Sequence, residues 1–258
     1  MFFQLKSYLL FLLKSFNQKN NKHSFILGLK NNCFNTKTSS EKFKIFKKYK
    51  TQLLNNKTTI KITDFGAGST VFSSDERQVS KITKVAGISN KRAKLLIRLT
   101  TYFQPKEILE IGTSLGLATS ALAANNKNTA ITTLEGCPET AKIAQQQFTK
   151  FGFNNISLKV GNFAKTLPKA IENKQFDFIY FDGNHQKEAT LHYFEACLKS
   201  ANENAVFIFD DIYWSKEMLA AWTQIKKHPK VSCTVDTFQW GLVFFNQKQV
   251  NEHYTIRI

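Results

Sequence analysis

ILEIGTSLGLATSALA, residues 108–123, decides the fold. A short apolar run ends on Glu110, a turn follows with Gly112 and Gly116, and a run of small apolar residues comes next at helical spacing. That order reads as strand, turn and helix, and the small side chains let the helix lie close against a sheet. A second glycine stretch, KITDFGAGST (61–70), also ends an apolar run with an acid, Asp64. It lacks the sequel, because VFSSDERQVS reads as loop followed by a polar helix start. Its glycines read as a tight turn or docking edge, with Asp64 leaning over a pocket as the alternative. Ligands of open α/β sheets sit beyond the carboxyl ends of the strands, near the point where the strand order reverses, which favours the 108–123 turn as the binding loop.

Downstream, the pattern alternates. Strands are expected at 107–111, 129–135, 156–161, 176–182 and 205–211, and helices at 116–125, 138–151, 164–172, 187–200 and 215–227. Connections of that length are crossovers, so the strands form a parallel sheet covered on both faces. In the tail, VSCTVDTF and GLVFFN are separated only by Gln239 and Trp240, which suits an antiparallel pair at the sheet edge. Upstream, helices are expected at 3–15, 40–54, 76–86 and 89–103. The last carries Leu95, Leu96, Leu99, Tyr102 and Phe103 as a half-buried stripe, with Ser89 as N-cap and Pro105 beyond its end.

The chain has 258 residues, 42% of them hydrophobic and 24 of them Phe, which excludes a disordered chain and suits one large domain or one domain with an extension. Cys33, Cys137, Cys197 and Cys233 show no zinc-knuckle spacing and read as reduced thiols of a cytoplasmic protein. The opening MFFQLKSYLLFLLKSF holds an apolar run between Lys6 and Lys14 that is too short to span a bilayer. It reads as an amphipathic helix packed on its own domain, with a membrane-surface helix as the alternative. Residues 1–100 hold 20 Lys/Arg against 4 Asp/Glu, a balance of +16, whereas residues 101–258 hold 16 against 15, a balance of +1. Residues 1–75 are therefore read as a basic, mainly helical extension and 76–258 as the catalytic domain. The basic residues 1–100 either form a solvated surface or face an anionic partner, RNA or a membrane surface.

The loop reads E-x-G-x-x-x-G and lacks the three glycines of a dinucleotide loop. An acid at that strand end is poorly placed beside a pyrophosphate and suits a cationic amino group, the role expected of Glu110. Glu135 ends the second strand, where a carboxylate accepts from a ribose diol. At the third strand end Asn162 can bond an adenine edge and Phe163 can stack on it. Together these describe a pocket for an adenosine joined to an amino acid.

At these residues the stretch 107–245 resembles the class I S-adenosylmethionine-dependent methyltransferases, most closely the metal-assisted O-methyltransferase group that includes catechol O-methyltransferase. Residues 109–116 meet that group's L-E-I-G-T-x-x-G motif. The resemblance implies a doubly wound, mostly parallel seven-stranded sheet, the Rossmann-like methyltransferase fold, with an antiparallel edge strand. It implies S-adenosylmethionine held by Glu110, Gly112, Thr113, Ser114, Gly116, Glu135, Gly136, Asn162, Phe163 and Asp182. It also implies Mg²⁺ on Asp182, Asp210 and Asp211, with His185 where the group has its lysine base. Two departures stand out: Asp211 replaces Asn, and His185 replaces Lys. Three carboxylates so placed repel one another, so a metal or a nearby Lys/Arg is expected. The plainer readings are His185 capping the 187–200 helix and Asp210 or Asp211 bonding loop amides. Trp214, Trp222 and Trp240 line an aromatic acceptor pocket or serve packing.

The function expected is O-methylation of a small-molecule hydroxyl. An RNA methyltransferase gripping phosphate with its basic segment is one alternative, although the fourth strand ends FDGNH and not Asn/Asp-Pro-Pro-aromatic. A non-catalytic cofactor-fold binding protein is the other. A homodimer is also expected.

Overall fold

The structure, a computed structural model, describes residues 2–17, 23–63, 65, 74–124, 128–245 and 252–258. The chain opens with helices α1 (Phe2–Asn17) and α2 (Ser24–Leu29), a π turn (Lys30–Phe34) and α3 (Ser40–Asn55). Strands β1 (Thr59–Lys61) and β2 (Glu76–Gln78) then precede α4 (Val79–Val85) and α5 (Asn90–Phe103). The alternating part runs β3 (Glu107–Ile111), α6 (Leu117–Ala123), β4 (Ala130–Glu135), α7 (Pro138–Lys150), β5 (Ile156–Val160), α8 (Phe163–Ile171), β6 (Phe176–Phe181), α9 (Lys187–Cys197) and β7 (Ala201–Asp210). It closes with α10 (Lys216–Lys226), β8 (Cys233–Asp236), β9 (Trp240–Phe244) and β10 (Glu252–Thr255).

The main sheet has the order β10-β8-β9-β7-β6-β3-β4-β5. It is parallel throughout except for β9, which runs antiparallel to both β7 and β8. The expected pairing of the two tail strands is present, but β9 inserts beside β7. Every residue from Trp240 to Phe244 is buried, and a strand apolar on both faces belongs inside a sheet. An eighth strand, β10, pairs parallel to β8 and covers that edge.

Strand alternation splits the core into two layers. Phe178 and Tyr180 of β6 join Phe46, Tyr49, Leu96 and Phe148 on one face, while Ile179 and Phe181 join Phe194, Phe207 and Trp222 on the other. The basic N-terminal segment thus contributes to the main core. Tyr49 Oη donates to the Leu115 carbonyl at 2.9 Å, directly behind the binding-loop turn. Glu76–Gln78 does not begin the helix expected at 76–86; it pairs antiparallel with Thr59–Lys61, a ladder that crosses position 75, and α4 starts after it.

Ser89 caps α5 as expected, its Oγ accepting from Arg92 N at 3.2 Å. Ser89→Ala is expected to cost about 1 kcal/mol and to lower the melting temperature by about 2–4 °C; thermal unfolding followed by circular dichroism measures it. All four cysteines are free and buried. Among the described residues no helix is long and apolar enough to cross a membrane.

Candidate active site

The chain enters the sheet at β3 and winds outward through β4 and β5, then returns to place β6 on the other side of β3. That reversal opens a crevice above the strand ends. A cavity of about 440 Å³ lies there, and residues from five consecutive strand ends line it.

The turn after β3 depends on bare backbone. Gly112 sits at φ +108°, and a β-carbon there would come 2.1 Å from the Asp182 carbonyl oxygen, so the β3 and β6 ends approach only because the residue is glycine. Gly116, at φ +78°, backs onto Tyr49 Oη and the Phe148 ring and does not line the cavity. Thr113 is buried, with its Oγ1 2.5 Å from Thr133 Oγ1, and lines a small adjoining cavity. Ser114 faces the main cavity, and its backbone N–H donates to Glu135 Oε2 at 2.6 Å.

The two acids behave differently. Glu135 lines the cavity, and its other oxygen accepts from Cys137 N at 2.8 Å. Burial nevertheless pushes its carboxyl above the ordinary range, while the Cys137 and Ser114 amides oppose the shift. Glu110, expected to meet a ligand's amino group, is fully buried and lies outside the cavity wall. Its Oε2 accepts from Thr119 Oγ1 at 2.5 Å and Thr133 Oγ1 at 2.6 Å. Burial, only partly opposed by those hydroxyls, raises it to about 8. Glu110 thus braces β3 against β4 and α6 through Oε2, and its Oε1 has no hydrogen-bond partner among the described residues.

Gly136, Asn162 and Phe163 also line the cavity. Asn162 Oδ1 is engaged as the N-cap of α8, accepting from Ala164 N at 2.9 Å. The Phe163 ring stands edge-on to Tyr193, 5.9 Å between centroids, and closes over the Gly183 loop. Phe65 packs against Gly136, while Asp64 and the glycines of the 61–70 stretch lie outside the described residues.

At the far end stand Asp182, His185, Asp210 and Asp211. His185 Nε2 is 3.6 Å from Asp182 Oδ1. His185 does not supply the cap of α9, which begins after Gln186 without a side-chain cap. Ser114, Asn184, His185 and Asp211 all have positive φ and all line this one cavity. Such conformations cost about 1–3 kcal/mol each in non-glycine residues and gather where geometry serves function.

The three carboxylates meet a cation, but it is Arg92. Arg92 Nη1 lies 3.2 Å from Asp210 and Nη2 lies 3.0 Å from Asp211, while Nε donates to Gln239 Oε1 at 2.8 Å. Tyr180 Oη donates to Asp210 at 2.9 Å. Burial and then Asp211 push the Asp210 carboxyl up, and Arg92 pulls it down. Asp182 is raised by burial and by both other acids. Among the described residues no group of three or more His, Cys, Asp or Glu is arranged to hold a metal ion. In this structure the Arg92 guanidinium spans Asp210 and Asp211, two members of the expected Mg²⁺ ligand set of Asp182, Asp210 and Asp211. The sequence signal was available: Arg92 stands in the first turn of α5, where the helix dipole disfavours a cation, so an acidic partner was to be sought.

Trp214 lines the cavity; Trp222 and Trp240 are buried in the core, the latter edge-on to Tyr180 at 5.7 Å.

Residues 109–212 match the family model described as a methyltransferase domain. The chain is 30% identical over 129 residues to a catechol O-methyltransferase of Niastella koreensis, covering 48% of the chain and 58% of that protein. It is 28% identical over 135 residues to a catechol O-methyltransferase of Mycobacterium tuberculosis, covering 52% and 60%. The match thus spans less than two thirds of these relatives' length. Among solved structures, an O-methyltransferase from Bacillus cereus in complex with SAH superposes with a TM-score of 0.52 and 26% identity, covering 62% of this chain and 81% of that chain.

Proposed function

We propose that this protein is a methyltransferase that moves the methyl group of S-adenosylmethionine to a hydroxyl of a small molecule, without a divalent metal. The observation that carries this reading is Glu135. Backbone N–H groups pin its two oxygens at the lip of the cavity, Ser114 on Oε2 and Cys137 on Oε1. A carboxylate has about four acceptor sites, and an acid so fixed suits a vicinal diol such as a ribose. Phe163 and Asn162 form the adjacent wall, and Gly112 and Ser114 leave room beside it. The SAH complex of the Bacillus cereus relative and the catechol O-methyltransferase names of the two curated relatives support the same donor and reaction.

When bound between Glu135 and the Gly112 turn, the cofactor would supply an electrophilic sulfonium methyl for the acceptor oxygen, its C–S electron pair staying with sulfur. The protein must align the acceptor and receive its proton. His185 is the base in this reading. With Nε2 turned toward Asp182, Nδ1 is the nitrogen that takes the hydroxyl proton, and Asp182 holds the ring in that orientation. Asp210 and Asp211 share the Arg92 guanidinium and keep the far wall in place.

Calorimetric titration with S-adenosylmethionine, together with labelled-methyl transfer to catechol and other vicinal hydroxyl acceptors in EDTA, tests this. Saturable binding and chelator-resistant transfer are expected. Absence of binding overturns the donor, transfer confined to RNA overturns the acceptor class, and loss of transfer in EDTA returns the carboxylates to a metal.

A further inference from the structure

We infer that the outward face of α1 docks on an anionic lipid surface. The helix is held to the domain by one face: Phe11 and Ser7 are buried, Tyr8 and Phe11 pack on Phe238 at 4.9 and 5.5 Å, and Gln4 donates to the Trp214 carbonyl at 3.2 Å. A surface helix ordinarily turns polar residues outward. Here Phe2, Leu5, Leu9 and Leu13, spaced to form one stripe, are 83%, 59%, 55% and 65% exposed, with Leu10 beside them.

Charge selects the occupant. The stripe is flanked by Lys6 and Lys14, and the first carboxylate in the whole chain is Glu41, after six lysines. A second copy of the chain seated symmetrically would bring two such lysine sets together with no acid from the first forty residues to meet them. An RNA would find leucines where its phosphates need cations. A leucine and phenylalanine stripe edged by lysines matches the boundary between acyl chains and anionic headgroups. The helix has 16 residues, about 24 Å at 1.5 Å per residue, too short to cross a hydrocarbon core of about 30 Å. It lies in the surface.

Docking there brings the cavity rim to the membrane. Trp214, which accepts from Gln4 of α1, lines the cavity and is 42% exposed, whereas Trp222 and Trp240 are buried. Indole fluorescence therefore reports on the docked edge.

The test is flotation of the full chain with phosphatidylcholine vesicles, alone or with one third phosphatidylglycerol. Co-flotation with the anionic vesicles is expected, about tenfold stronger than with phosphatidylcholine, weakened by salt and accompanied by a blue shift of tryptophan emission. The double substitution Leu9→Asp with Leu13→Asp should abolish flotation with an unchanged melting temperature, since both side chains point to solvent. The inference fails if the chain does not float with anionic vesicles, or if the double variant floats equally well. It also fails if, without vesicle binding, the double variant disperses a dimer or releases bound poly(U).

Discussion

Arg92→Met is expected to destabilise the protein by about 3–5 kcal/mol, the range for removing one partner of a buried ion pair. Asp210 is almost wholly buried and the guanidinium is one of its two side-chain donors, with Tyr180 the other. Without it, Asp182, Asp210 and Asp211 face one another with no fixed cation. Asp182 and Asp210 already sit above the ordinary carboxylate value through burial and mutual repulsion, and the variant must push them higher. A carboxyl whose folded pKa exceeds its unfolded one binds a proton in the folded state that the unfolded state releases. Its stability contribution therefore falls as pH rises between the two values. The loss should be small near pH 5 and largest near pH 8, as measured by denaturant unfolding at both. Added Mg²⁺ should raise the melting temperature of Arg92→Met and leave the wild type unmoved, because only the variant leaves three carboxylates to an ion. Equal destabilisation at both pH values would mean that Arg92 acts through packing alone.

The parts of this molecule that sequence periodicity revealed are those whose cause is local. A short apolar run marks β6 and a helical stripe with its serine cap marks α5, and both stand where they were expected. Crossover lengths then set the parallel order, and topology brought Glu135, Asn162, Phe163, Asp182 and Asp210 to one crevice. What escaped depends on partners distant in the chain. Strand β10 has no strong alternation and gains its place only from the exposed edge of β8. The fate of Glu110 turned on Thr119 and Thr133, hydroxyls on α6 and β4 that claim its carboxyl from below. Arg92 reaches Asp210 across 118 positions, and a spacing motif drawn around the carboxylates alone could not include it.

Glu135 and Glu110 end neighbouring strands, and substituting each should separate their roles. Glu135→Ala removes the pinned acceptor pair, and affinity for S-adenosylmethionine should fall about 10- to 150-fold, or about 1.5–3 kcal/mol, the range for hydrogen bonds to a charged group. The Ser114 and Cys137 amides lose their acceptor in the same step, so the turn loosens as well. Glu110→Gln should leave affinity within a few fold, because that carboxyl does not reach the cavity. Its effect is on stability. With an ordinary value of 4.5 and a folded value of about 8, wild-type Glu110 makes the protein less stable as pH rises through that window, by at most about 1.4 kcal/mol per pH unit. Glutamine carries no titrating proton, so the variant should lose most of this slope. Titration calorimetry and pH-dependent unfolding on the two variants decide it. Should Glu110→Gln weaken the cofactor as much as Glu135→Ala does, the buried acid is part of the binding site after all, and the assignment of the diol to Glu135 alone is wrong.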